Sequence, residues 1–186
     1  MKKTGKVRRR RFLKAAVVAA VAGPTIACQR ASSPWRFLTV EEARTLEAVC
    51  GRIIPADQDP GAPGAGVVDF IDRQLTGFHR RHQQSYRDGL AGLDQAATAL
   101  HGKRFADLPA KQQDAVLAAM EKNQAPGAAW KQLPARQFFD LVVSHTMQGY
   151  YGDPRHGGNR DAVSWTMLGV PASPIRGRAK YDLTKT

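Results

Sequence analysis

The sequence predicts an all-α domain of five to six helices that ends in a loop rich in Gly, Tyr and Pro. Three observations predict it. Apolar residues recur at spacings of three and four through most of the chain, the pattern of amphipathic helices. No stretch sustains the two-residue alternation of a half-buried strand, and no Gly-rich dinucleotide turn follows a strand-like run. Proline and glycine clusters, at Pro55, at 60–66, at 125–127 and at Pro134, separate the periodic segments.

The elements follow in order. Ser32-Ser33-Pro34 reads as a linker within residues 28–38, and Phe37-Leu38 as a hydrophobic staple ahead of the first helix. Thr39-Val40-Glu41-Glu42 is a capping box, because the Thr39 hydroxyl and the Glu42 carboxylate can each accept the other residue's amide. Ala43, Leu46, Val49, Cys50 and Ile53 then keep a helical period until Pro55. A loop rich in Pro, Gly and Asp covers 57–66. Helical spacing resumes with Val67, Phe70, Ile71, Leu75 and Phe78. The next stretch sets Tyr86, Leu90, Leu93, Ala97 and Leu100 on one face. Phe105 and Leu108 are expected to fold back on the core. Pro109 suits the first turn of a helix whose apolar face is Val116, Leu117 and Met120, broken by Ala125-Pro126-Gly127. Pro134 opens the last, with Phe138, Leu141, Val142 and His145 in register. Residues 39–186 read as one domain, long enough to bury roughly two-thirds of the unfolded chain's surface.

Charge bounds the function. The chain has 28 Lys+Arg against 16 Asp+Glu, a net charge of +12. Eight of those cations lie in residues 1–14, and the rest of the chain carries only +4. Duplex binding needs cations spread over a folded face to neutralise several phosphates. No nucleic-acid partner is therefore expected.

The basic segment precedes an apolar run, Ala15–Ala22, and then small residues, the layout of a signal peptide over 1–27. The run is shorter than the ~20 apolar residues of a membrane span. Arg9, Arg10, Phe12, Leu13 and Lys14 fit the twin-arginine pattern Arg-Arg-x-Phe-Leu-Lys. Such signals are addresses read by a receptor, here the twin-arginine translocase, and they direct folded proteins to the periplasm. Thr25-Ile26-Ala27-Cys28 partly resembles a lipobox, which makes Cys28 a candidate lipidation site. Thr25-x-Ala27 equally suits an ordinary signal peptidase, and both readings stay open. The only other cysteine, Cys50, sits among apolar residues and reads as a small buried hydrophobe, with an intersubunit disulfide through Cys50 or Cys28 as the alternative.

Catalytic constellations are scarce. There is no His-Glu-x-x-His, no Gly-x-Ser-x-Gly and no Walker pattern. His79 and His82 could share a helical face, but without a third ligand they read as solvated, not metal-binding. His145 lies on the apolar register and reads as a hydrogen-bonded core histidine. Asp69 and Asp72 could form an acid–base pair, though acids favour a first helical turn in any case. No catalytic, cofactor-binding or metal residue is assigned.

The stretch from His145 to Asp161 is the most unusual. It joins two adjacent tyrosines, an Asp-Pro turn, a Gly-Gly-Asn segment and the polar tips Arg155 and His156. Such a loop is either a built bend or a recognition surface. Tyr150, Tyr151, Asp153, Arg155, His156 and Asn159 are the candidate partner-docking residues.

Gly149-Tyr-Tyr-Gly-Asp-Pro154 with Gly157-Gly-Asn159 closely resembles the C-terminal signature of the gluconate 2-dehydrogenase subunit 3 family. The resemblance extends through Arg52–Asp57, Gly61–Asp72 and Tyr86–Leu90. It implies a non-catalytic small subunit of a periplasmic, membrane-associated, FAD-dependent dehydrogenase of sugars or sugar acids. In that arrangement a large flavoprotein subunit holds FAD, and a cytochrome c subunit with haem c takes the electrons onward. The small subunit binds no cofactor. It carries the export signal and takes the folded flavoprotein with it. The alternative is a free-standing helical binding protein or lipoprotein of the cell envelope with no flavin partner.

Overall fold

A computed structural model of the chain describes residues 34–170, and within them the backbone forms six α-helices and no strand. The export-signal residues Arg9, Arg10, Phe12, Leu13 and Lys14, the candidate lipidation site Cys28, and the segments 1–33 and 171–186 lie outside the described residues. The helices are α1 (Val40–Ile53), α2 (Val67–Leu75), α3 (Gln83–His101), α4 (Ala110–Glu121), α5 (Ala135–Tyr151) and α6 (Val163–Met167). Single 3-10 turns at 80–82, 105–107, 128–131, 154–156 and 160–162 join them. No helix among the described residues is long and apolar enough to cross a membrane.

α1 starts at the capping box, with both reciprocal bonds made: the Glu42 amide donates to Thr39 Oγ1 at 3.2 Å and the Thr39 amide to Glu42 Oε2 at 2.8 Å. Its face Ala43, Leu46, Val49 and Cys50 is buried as the period predicts. It ends before Pro55, because a following proline pushes Ile54 out of the helical region. α5 is the central element and packs against α1, α2, α3 and α4. Tyr86, Phe105 and Phe138 are the largest side chains fully enclosed by this arrangement. Each such burial contributes roughly 1.5–3 kcal/mol against exposure. Phe105 and Leu108 do fold back into the core.

The structure corrects two core assignments. α2 stops at Leu75, and Phe78, expected on its apolar face, lies beyond the helix and is 79 % exposed. Gly77 gives the chain a turn there instead of a fourth helical repeat. Leu100, expected on the buried face of α3, is 47 % exposed in the last turn before the Gly102 cap. Two starts also move by a residue, since Pro109 and Pro134 precede α4 and α5 as their caps.

The linker reading of 28–38 also needs correction at its end. The amides of Arg36, Phe37 and Leu38 all donate to the carboxylate of Asp72, at 2.7, 2.9 and 2.9 Å. Arg87 adds a bond to the Phe37 carbonyl at 2.7 Å and lays its guanidinium over the Phe37 ring. Leu38 is buried. Residues 36–38 are thus a strap fixed on α2 and α3, and the domain begins before Thr39.

Candidate functional site

The C-terminal half of α5 divides its residues by helical period. His145, Thr146, Gly149 and Tyr150 point inward, and Ser144, Met147, Gln148 and Tyr151 point outward. The inward Tyr150 donates its hydroxyl to the Pro60 carbonyl at 2.8 Å, tying the loop between α1 and α2 to α5. Asn159 is fully buried. It donates to the Gly152 carbonyl at 2.9 Å and accepts the Ser164 amide at 2.9 Å, so it closes the loop onto itself and onto α6.

The Gly-Gly-Asn segment has a steric logic. Gly157 takes φ +105° and Asn159 φ +47°, while Gly158 lies so close to α5 that a Cβ would sit 2.1 Å from the Gly149 carbonyl oxygen. Asp153 accepts the Arg155 amide at 3.0 Å and caps the turn 154–156. The Arg155 guanidinium also clasps Asp153, which holds that carboxyl below its ordinary range. Arg160 donates to Asp69 at 2.7 Å and Arg73 to the Arg155 carbonyl at 3.1 Å, fastening the loop to α2.

The six candidate docking residues therefore separate. Tyr150 and Asn159 are interior and build the loop, which removes them as partner contacts. Asp153 is half-buried and engaged within the loop. Tyr151, Arg155 and His156 are exposed.

Exposed apolar side chains stand beside these loop residues, among them Phe78, which the sequence period had placed in the core. Phe78, Met147, Tyr151, Met167 and Leu168 are five of the seven large apolar side chains exposed among the described residues. They lie on segments joined to one another. Phe78 packs edge-on against His79, His79 bonds Gln148 of α5, and Trp165 of α6 donates to the Tyr151 carbonyl at 3.0 Å. Exposed large apolar side chains gathered on connected segments are the kind of surface that marks an interaction site. The break at Gly77 is the signal that could have placed Phe78 outside.

Three histidines meet beside Phe78 and Gln148. His79 follows α2, His82 closes the turn 80–82, and His145 projects from α5. His79 and His82 are not on one helix as expected, and His145 supplies the third nitrogen that the sequence reading lacked. The His79 and His145 rings stack with centroids 4.0 Å apart, and His82 meets His145 edge-on at 5.5 Å. His145 Nδ1 pairs with the buried Tyr86 hydroxyl at 2.9 Å. Burial, then His79, His82 and Arg81, push His145 down to about 4, so its ring is neutral at pH 7. Burial, Arg81 and His79 lower His82 as well.

The remaining reactive groups are structural. Cys50 is fully buried 3.3 Å from the Thr146 hydroxyl, and burial pushes its thiol up to about 12. That excludes the intersubunit disulfide through Cys50. Asp69 is committed to Arg160 and Asp72 to the strap, so they do not form an acid–base pair.

The family described as gluconate 2-dehydrogenase subunit 3 matches residues 40–171. No curated protein and no solved structure matches the chain significantly.

Proposed function

The chain belongs to the gluconate 2-dehydrogenase subunit 3 family, and from that premise we propose that it is the non-catalytic small subunit of a periplasmic, membrane-associated, FAD-dependent dehydrogenase of sugars or sugar acids. The flavoprotein subunit holds FAD and oxidises the substrate. A cytochrome c subunit with haem c receives the electrons. This chain contributes the Arg9-Arg10 signal, so the flavoprotein folds around its flavin in the cytoplasm and crosses the membrane as a passenger. Membrane association then comes through the complex or through a lipid on Cys28.

The observation that carries the docking part of this reading is the exposed apolar face of Phe78, Met147, Tyr151, Met167 and Leu168. Aromatic and Met side chains are enriched at protein interfaces. Tyr151, Arg155 and His156 on the loop supply its polar border. A rigid loop suits this use, because a fixed surface loses little entropy on association.

The test is affinity capture of the full chain from its native envelope. The expected product is a yellow complex whose large subunit releases FAD. Replacing Phe78, Met147 and Tyr151 together by Ser should reduce capture at least tenfold while circular dichroism stays unchanged. Capture of a colourless chain without a flavoprotein would overturn the reading in favour of a free-standing envelope protein.

A further inference from the structure

We propose that His79, His82 and His145 form a binding site for one divalent transition-metal ion of the zinc type. Each residue offers a ring nitrogen, and these nitrogens all lie within 4.8 Å of one another. The three come from the turn after α2, the turn 80–82 and α5, so the cluster exists only in the folded chain.

The hydrogen bonds prepare the donors. Gln148 Nε2 donates to Ser144 at 3.1 Å, which turns the Gln148 carbonyl oxygen toward His79 Nε2 at 3.1 Å. His79 Nε2 must then carry the proton, and Nδ1 keeps a bare lone pair. That Nδ1 is the telling atom. It is enclosed in a residue only 6 % exposed, and no described group bonds it. A buried polar atom without a partner is uncommon and costly. A metal ion would satisfy it. In His145, Tyr86 engages Nδ1 and leaves Nε2 as the available nitrogen. Gln148 and Tyr86 thus stand where the outer partners of metal-bound histidines usually stand, fixing the tautomers.

The donor set selects the ion. Three neutral imidazoles without a carboxylate suit Zn2+, Co2+, Ni2+ or Cu2+, not Mg2+ or Ca2+, which take oxygen ligands. Metal–nitrogen bonds of about 2.0–2.1 Å in a tetrahedron set the nitrogens roughly 3.3 Å apart, so binding draws the nitrogens together by up to about 1.5 Å and tilts His79 and His145 out of their stack until both in-plane lone pairs meet the ion. His82 is the ring freest to move. It is half-buried on a short turn, and its bond from the exposed Arg81 at 3.1 Å exchanges readily for water. Its solvent-facing edge is also the entry path. Bound there, the ion clips the turn after α2 to α5, next to the exposed Phe78.

The full chain, stripped with chelator, is titrated with Co2+ and with Zn2+. The expected result is one equivalent of Co2+ with the intense visible absorption of a four-coordinate ion held by three nitrogens and one water. His82→Ala should weaken that binding at least 100-fold, while His101→Gln leaves it unchanged. Zn2+ at a hundredfold excess over Kd should raise Tm by roughly 5–10 °C. Imidazole nitrogen NMR on the unaltered chain decides the matter even if a variant fails to fold. Zn2+ must shift three of the five histidines, among them His79 and His145. Weak six-coordinate Co2+ spectra, shifts at other histidines or at none, or equal affinity in His82→Ala would overturn the proposal.

Discussion

Asp72 is the residue whose loss should reveal how the N-terminal segment is coupled to the domain. Its carboxylate accepts three amides: Arg36 on Oδ2, and Phe37 and Leu38 on Oδ1. A hydrogen bond to a charged group is worth ~1.5–3 kcal/mol, but three of them do not add here. The Arg36 and Phe37 amides are only partly buried, and water replaces their bonds when the strap lifts. The Leu38 amide is buried, so it bears the full penalty or drags the Leu38 side chain out with it. Asp72→Ala should therefore cost ~3–5 kcal/mol. Asp72→Asn keeps Oδ1 and its two bonds but sets an NH2 group against the Arg36 amide, and should cost ~1–2 kcal/mol. Urea unfolding measures the differences, and amide exchange at Phe37 and Leu38 reports the strap itself. If both variants unfold within ~0.5 kcal/mol of the parent, or those two amides exchange unchanged in Asp72→Ala, the reasoning fails.

Three further outcomes follow from the geometry. Gly89→Ala places a Cβ 2.3 Å from the fully buried Phe138 ring, and should destabilise by ~2–3 kcal/mol in thermal unfolding. The His145 ring titrates at about 4 when folded against 6.5 when free, so the unfolded chain takes up the proton first and stability falls as pH drops from about 6.5 to about 4. The shift converts to ~3 kcal/mol, lowered to ~2 kcal/mol by solvent at the His82 edge. The groups facing it are His79, His82, Arg81 and Tyr86, and His145→Gln should flatten urea-midpoint profiles over that range. Replacing Arg9 and Arg10 by Lys should abolish envelope localisation on cell fractionation, and arrival of the variant in the periplasm would remove the signal reading.

Much of the fold was legible because helices are local. The capping box of α1, the buried face from Ala43 to Cys50, and the prolines before α4 and α5 each rest on residues within one or two turns. Failures occurred where the deciding partner is distant. Asp72 looks like an ordinary helix-surface acid until the strap 34–36 residues upstream lies on it. Phe78 continues the apolar period in sequence, but the chain turns at Gly77 and leaves it outside. His145 sits 63 residues beyond His82, so no spacing rule joins them, although each was visible as a single residue.

The Tyr-Tyr signature shows the same division at atomic scale, and it explains why a loop can read as both structure and surface. Adjacent residues on a helix differ by about 100° in direction. At the end of α5 that rotation sends Tyr150 inward to Pro60 and Tyr151 outward into the apolar face. Gly158 must be bare for the loop to return against Gly149, and Asn159 must bridge Gly152 and Ser164 for it to stay there. Trp165 can then hold the Tyr151 carbonyl from α6. The interior half of the motif thus fixes where its exposed half stands. Tyr150→Phe should leave the exposed surface chemically intact while loosening its position, and Tyr151→Ser the reverse. A capture assay sensitive to Tyr151 alone would assign recognition to the side chain. Equal loss in both would assign it to the shape of the loop.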